Sequence, residues 1–347
     1  PAVDLGAVVI AEALKRAKVD SEQVDEVIMG NILSAGHGMN LARQSLVKAG
    51  LPVEVPAMTI NKMCGSGLKS VALAAQSIML GDAKVVVAGG IESMSRAPYL
   101  LPRARFGYRM GNGELVDSMI NDGLNDCMID CHMGVTADEL AEKYNITRED
   151  VDLYSLETQS RAKAAMEEGR FSGEIVSVAV AKSKGESLMM DVDEHPRPNV
   201  SMEQLSDLKP AFKSLGVVTA GNSAGINDGA AAVVVTSESR AKEMGLEPMA
   251  VIRSYATTAL EPRMMGLAPV RAIEKSLNRA CLNLSDIDLV EINEAFAAQV
   301  LAVGREIGLN WNTTNVNGGA IALGHPIGAS GTRILTTLLH EMKRRHS

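Results

Sequence analysis

The sequence predicts an α/β protein made of two similar halves, with a long segment inserted into the first. Three observations lead there. Ala13–Val27 and Ser276–Val290 align without gaps, and Leu14, Arg16, Ala17, Asp25 and Val27 recur as Leu277, Arg279, Ala280, Asp288 and Val290. About forty residues after each copy comes a second strand and a glycine-rich turn into a helix. Between the halves, Ser95 to Gly221 is more polar and of different character. Two amphipathic helices also match by chance, but equal spacing in both halves speaks against that alternative. The repeat therefore predicts halves related by a pseudo-twofold axis, with a site where they meet.

The elements follow in chain order. The first residue is Pro1, and a helix runs from Leu5 to Ala17, followed by a short apolar strand. Val55–Ile60 reads as a strand and Leu68–Leu80 as a helix, with Asn61-Lys62-Met63-Cys64-Gly65-Ser66-Gly67 turning between them. The inserted segment carries turns at Gly111-Asn112-Gly113 and Pro196-Arg197-Pro198, and a helix pair at Thr136–Tyr144 and Arg148–Glu168. Its length and polarity predict a lid or loop domain over the site. Ala230–Thr236 is the strand that resumes the first core. The second copy of the repeat then gives a helix and an apolar strand, Asp288–Ile292, and Thr332–Arg344 closes the chain as a helix. The expected domains are 1–94 with 222–246, the loop domain 95–221, and 247–347.

With 347 residues the chain can bury two or more cores. Hydrophobic residues at 46% and charged ones at 22% are ordinary for a soluble globular protein. A net charge of −8 and few aromatic residues argue against a nucleic-acid partner. Four scattered cysteines imply no disulfide framework and fit a reducing, cytoplasmic compartment. Cys127, Cys131 and His132 lie close in sequence but have no second ligand pair, so no metal is expected. No apolar run is long enough to span a membrane, and no secretory signal is visible.

Cys64 stands at the start of a helix, where free N–H groups and the helix dipole favour a thiolate. A small buried cysteine in a βα turn is the alternative. Glycine-rich segments surround Cys64 and also span Thr219–Gly229 and Asn315–Gly331. None matches a phosphate loop or a dinucleotide fingerprint, so close backbone approach to another ligand is the natural use. His325, between Gly324 and Pro326, is expected at the position in the second half that Cys64 holds in the first. An imidazole there can take the thiol proton or bond an oxygen that gathers charge. Asn293 ends the second-half strand. It either caps the following helix or turns its amide toward the site, to fix a water or an oxyanion. His132 alone is an ordinary loop histidine.

Asn61–Gly67, Cys131-His132-Met133-Gly134, Asn293-Glu294-Ala295-Phe296 and Gly318–Gly331, in this order and spacing, resemble the thiolase family over essentially the whole chain. The Cys131–Gly134 segment resembles the short-chain, biosynthetic branch, the acetyl-CoA acetyltransferases. The resemblance implies a layered α-β-α-β-α fold of two duplicated halves with an inserted loop domain. It implies that Cys64 is acylated by acetyl-CoA, that His325 activates it, and that His325 with a water held by Asn293 forms an oxyanion hole. The Cys64 N–H would contribute to a second one. His132, Met133 and Phe296 would border the acyl and pantetheine channel, with Ala220 near the pantetheine and Arg197 at the nucleotide end of coenzyme A. Ser223-Ala224 stands where many relatives carry Ala-Ser, which puts one coenzyme A contact in doubt. The implied partners are acetyl-CoA, acetoacetyl-CoA and coenzyme A as substrates and products, with no resident cofactor, in a homotetramer. A longer-chain 3-ketoacyl-CoA thiolase, a decarboxylating condensing enzyme and a silent acyl-CoA-binding relative are the alternatives.

The family's second cysteine, in a Cys-x-Gly segment, and its first strand do not occur in these 347 residues. Cys281 is no substitute, because the repeat places it in a helix opposite Lys18. Since the missing pieces are core strands in the family, the native protein is expected to be longer at both ends.

Overall fold

The computed structural model describes residues 1–181 and 187–347. Its first half is organised by α1 (Ala2–Ala17), β1 (Glu26–Gly30), α2 (Leu41–Lys48), β2 (Ala57–Ile60), α3 (Ser66–Leu80) and β3 (Val85–Ser93). The inserted segment contributes α4 (Met133–Tyr144) and α5 (Arg148–Glu167), besides short two-stranded hairpins. β4 (Asp228–Thr236) returns to the first half, and α6 (Ala268–Ala280), α7 (Ala297–Ile307) and α8 (Ser330–Arg345) follow.

The strand order in the main sheet is β4-β3-β1-β2. β1 runs parallel to both neighbours, with Val27 opposite Val87 and Ala57, and β4 pairs antiparallel to β3 from Asp228↔Ser93 to Thr236↔Val85. β3 is buried at every residue, which explains its continuous apolar sequence Val85-Val86-Val87-Ala88. α1 and α2 cover one face through Ile10, Leu14, Leu41 and Leu46, packed on Val27, Met29, Val85 and Val87. The other face carries Ile28, Val86 and Ala88 against Val71 and Ala74 of α3, with Leu335 of α8 packed alongside. A helix from each half therefore shares the layer behind the sheet.

The two helices meet at their starts. A Cβ on Gly67 would lie 2.7 Å from the Thr332 nitrogen, and one on Gly331 would lie 2.3 Å from the Leu68 nitrogen. Only glycine permits this reciprocal approach. Pairing Gly67 with Gly331 and Leu68 with Thr332 exchanges the two contacts, as a twofold axis requires. The repeat is also visible in detail farther back. Lys18 and Cys281 both end their helices at φ 56°, and Asp20/Gln23 and Asn283/Asp286 form matching capping boxes.

Two expectations need correction. Asp288–Ile292 is not a continuous strand: a single bridge joins Val290 to Thr314, because this segment pairs with one neighbour at one register position. Cys281 is not inside a helix but is its left-handed cap, and it is exposed. The helices of the inserted segment pack into the second half. Ala137, Leu140 and Val151 share one core with Val300, Val303 and Ile321 of the second half, since both sets present apolar faces to each other. Residues 182–186 of that segment lie outside the described residues. Among the described residues no helix is long and apolar enough to cross a membrane.

Candidate active site

The turn between β2 and α3 is set by local hydrogen bonds. The Met63 N–H donates to Asn61 Oδ1 (3.1 Å), the Lys62 N–H to Ser66 Oγ (2.7 Å), and Ser66 Oγ to the Met63 carbonyl (2.7 Å). They hold Met63 in the left-handed region at φ 48°, an unfavourable conformation for a residue with a side chain. Cys64 follows, half-buried, on a floor made by Ile32, Leu33, Met94 and Ile327.

His325 sits on the turn before α8 and is 8% exposed. Its Nε2 lies 3.1 Å from Cys64 Sγ and 3.3 Å from Asn293 Nδ2. Its Nδ1 lies 2.6 Å from Ser330 Oγ, and that hydroxyl is 2.9 Å from the Pro326 carbonyl. A carbonyl only accepts, so Ser330 spends its hydrogen on Pro326 and must accept from Nδ1–H. The remaining lone pair is then on Nε2, facing the sulfur. The His325 N–H donates to Asn227 Oδ1 at 3.3 Å.

Burial pushes the Cys64 thiol up to about 11 and, with the Arg333 charge adding to it, the His325 imidazole down to about 4. Both shifts favour the uncharged forms of the pair. Loss of water around the sulfur thus opposes the pull of the helix start toward a thiolate. Charge separation belongs to the moment of attack, when the proton crosses to Nε2. Nε2–H and the Asn293 amide would then be two neighbouring donors, suited to an oxygen acquiring negative charge.

Asn293 is held by its flanks. The Ile292 N–H donates to Asn315 Oδ1, and Asn315 Nδ2 donates to the Ile292 carbonyl and to Glu294. Glu294, fully buried, also accepts from the Ile321 N–H, Tyr154 Oη and Thr158 Oγ1. α7 begins at Ala297 with Phe296 at its cap position, so Asn293 does not cap that helix. Its Oδ1 is buried without a protein partner among the described residues. The placement of His325 differs slightly from expectation. With Gly67 paired to Gly331, Cys64 corresponds to Gly328, and His325 lies three residues earlier on the same turn.

Of the remaining expected site residues, His132 caps α4, its Nδ1 accepting from the Gly134 N–H (3.0 Å). The His132 ring stacks on Phe212 at 4.4 Å, and Phe212 meets Phe296 edge-on at 6.3 Å. Ser223 bridges Phe296 through the backbone and donates its hydroxyl to the Thr219 carbonyl, while the Ala224 N–H donates to Ala295. Met133 is half-buried at the start of α4. Arg197 and Ala220 are exposed and belong to no such contact row; Arg197 is held through its N–H on Gln159 Oε1. Two cavities, about 410 and 180 Å³, are lined by residues around Glu341 and around Tyr154, and neither includes Cys64. Among the described residues no three His, Cys, Asp or Glu side chains gather as metal ligands would.

The sequence reading missed Ser330, Phe212 and Asn227. Ser330, at the start of the helix after His325, was the one with a local signal.

Family models settle the kinship. That described as the thiolase N-terminal domain matches residues 1–239, and the thiolase C-terminal domain matches 246–347. This chain belongs to the thiolase family. The thiolase is 57% identical to acetyl-CoA acetyltransferases of Cupriavidus necator and of Pseudomonas aeruginosa, each over 345 residues covering 99% of this chain and 88% of the relative. Among solved structures, it superimposes on the Bacillus anthracis acetyl-CoA acetyltransferase with a TM-score of 0.97 at 44% identity, covering 99% of this chain and 87% of that one. Human mitochondrial 3-ketoacyl-CoA thiolase gives 0.96 at 46% identity, covering 100% and 87%.

Proposed function

We propose that this thiolase is an acetyl-CoA C-acetyltransferase, which joins two acetyl-CoA molecules into acetoacetyl-CoA and coenzyme A, reversibly, through an acetyl group carried on Cys64. The observation that carries the reading is the 3.1 Å approach of His325 Nε2 to Cys64 Sγ, with the other ring nitrogen committed to Ser330. The names of the relatives support the same activity.

In the first half-reaction Sγ attacks the thioester carbonyl of acetyl-CoA while its proton passes to His325 Nε2. The tetrahedral adduct collapses, the C–S bond to coenzyme A breaks, and coenzyme A leaves as a thiol. One thioester replaces another, so little bond energy changes. In the second, the α-carbon of another acetyl-CoA loses a proton and attacks acetyl-Cys64, expelling Sγ, which takes its proton back from His325 Nε2. The enolate oxygen needs preorganised donors, for which His325 and Asn293 are placed. The family resemblance gives the α-proton, and the proton for the departing coenzyme A, to a cysteine in Cys-x-Gly, a segment these 347 residues do not contain.

His132, Phe212 and Phe296 form the wall on which the pantetheine arm is proposed to lie, with Met133, Ala220, Ser223 and Arg197 as further coenzyme A contacts. No resident cofactor is required. A homotetramer in the cytoplasm fits the family resemblance; light scattering and cell fractionation test it.

The deciding experiment is mass spectrometry after mixing with acetyl-CoA. An acetyl adduct on Cys64, absent from Cys64→Ala and nearly absent from His325→Ala, is expected. Acetyl exchange with coenzyme A that survives in Cys64→Ala refutes the assignment. The likeness to the human 3-ketoacyl-CoA thiolase makes chain length a second question, answered by comparing acetoacetyl-CoA with longer 3-ketoacyl thioesters.

A further inference from the structure

Glu92 is fully buried near the end of β3, and the chemistry above does not use it. Its carboxylate accepts four hydrogen bonds. Asn31 Nδ2 (2.9 Å) and the Leu33 N–H (3.1 Å) donate to Oε1. The Ile32 N–H (3.1 Å) and the Gly328 N–H (2.9 Å) donate to Oε2. Three donors thus come from the segment after β1, and the fourth from the turn that carries His325.

Both ends of this clasp lead to the reacting pair. Ile32 and Leu33, whose N–H groups bond Glu92, place their side chains in the floor beneath Cys64, together with Ile327. Gly328 is three residues after His325 and is pressed into the sheet: a Cβ on Gly90 would fall 2.1 Å from its carbonyl oxygen. The same turn is closed by the Ala329 and Ser330 N–H groups on the Pro326 carbonyl. The carboxylate thus joins the segment whose side chains pack under Cys64 to the turn that carries His325.

We propose that Glu92 is a positioning residue for acyl transfer: by binding the Cys64 floor and the His325 turn with one carboxylate, it fixes the distance between nucleophile and base. A buried carboxylate with four donors is a stiff joint, because each lost bond strands a buried polar group. Glutamine at this position turns an NH₂ toward N–H donors and loosens the His325 turn. Alanine leaves three backbone donors without that acceptor, while Asn31 Nδ2 keeps only the Ile91 carbonyl. The coenzyme A wall at His132, Phe212 and Phe296 is not part of the joint, so binding of acetyl-CoA is expected to be spared.

This inference rests on Cys64 being the acetyl carrier. The test is single-turnover acetylation of Cys64, followed by rapid quench and intact mass over a range of acetyl-CoA concentrations. In Glu92→Gln the maximal rate is expected to fall about 10²-fold, the size of effect that a misplacement near 1 Å produces. The half-saturating concentration should stay within about twofold of wild type, as for loss of a transition-state contact alone. Glu92→Ala should fall further, so that glutamine is a partial rescue. A folded Glu92→Gln protein that acetylates at the wild-type maximal rate overturns the proposal, and so does a loss confined to half-saturation. If the Glu92 variants do not fold, Asn31→Ala, which removes one donor of the four, decides. A slower maximal rate at unchanged half-saturation is expected, and an unchanged rate overturns it. Failure of the wild-type protein to form acetyl-Cys64 would strike the functional reading, not the clasp.

Discussion

Ser330 Oγ lies 2.6 Å from His325 Nδ1 and gives its own hydrogen to the Pro326 carbonyl, so one hydroxyl decides which ring nitrogen faces Cys64. The base is thereby chosen before any substrate arrives. A histidine with the opposite tautomer would present N–H to the thiol and could not take its proton.

Removing that hydroxyl frees the tautomer. Ser330→Ala should slow acetylation of Cys64 by about 10- to 100-fold, within the usual contribution of a positioned acid or base. It should also destabilise the fold by about 1–3 kcal/mol, because Nδ1–H is left buried without an acceptor. Quenched single-turnover acetylation and denaturant melts measure the two effects. A wild-type rate in Ser330→Ala would show that the hydroxyl does not select the tautomer.

Buried His325 should also leave a mark on stability. Its ordinary value is 6.5, and burial holds it at about 4 in the folded protein. Between these pH values the unfolded chain binds a proton that the folded chain does not. Stability from this group is therefore lost as pH falls from about 6.5 to about 4, by about 3 kcal/mol. Glu174 runs the other way. Burial raises it to about 7, so its contribution is present below 4.5 and lost as pH rises through 7. The difference between wild type and His325→Asn isolates the histidine. Melts at a series of pH values should show that difference shrinking toward pH 4; a difference independent of pH would contradict a buried neutral imidazole.

Phe212 is the middle ring of the row His132–Phe212–Phe296. Each aromatic contact is worth about 0.5–1.5 kcal/mol, so losing both disorders the wall by an amount equal to roughly tenfold in affinity. Phe212→Ala should raise the KM for acetyl-CoA about tenfold, with the maximal acetylation rate nearly unchanged. Steady-state kinetics decide it. If the loss falls on the rate and not on KM, the row serves the chemistry rather than the substrate arm.

The reciprocal helix contact sets the last expectation. A methyl group on Gly331 would fall 2.3 Å from the Leu68 nitrogen, and backbone cannot yield as a side chain does. Gly331→Ala should cost about 3 kcal/mol and pull α8 away from α3. Acetylation should then fall even under conditions where the variant is fully folded, because Cys64 and His325 precede these two helix starts. Thermal melting beside single-turnover kinetics tests it, and a stable, fully active variant would rule out the contact as drawn.

Much of this arrangement could be read along the chain. Repetition of Ala13–Val27 as Ser276–Val290 announces two like halves, and the structure repeats even the φ 56° caps at Lys18 and Cys281. Cys64, Asn293 and His325 are recognisable because each stands in a motif of its own. The less legible residues act at a distance. Phe212 is an isolated ring in a polar stretch, and Glu92 ends an apolar strand where a carboxylate has no local reason to be.

The sequence by itself determined the α/β plan, the two halves and the residues able to do the chemistry, since periodicity, turn residues and motifs are local properties of the chain. Tertiary structure alone decided how burial biases the reacting pair. At a solvated helix start the dipole would favour a thiolate. Packed between the two lobes, the two residues are biased by burial toward thiol and neutral imidazole. Burial is a sum over the whole fold, and no short stretch of sequence records it.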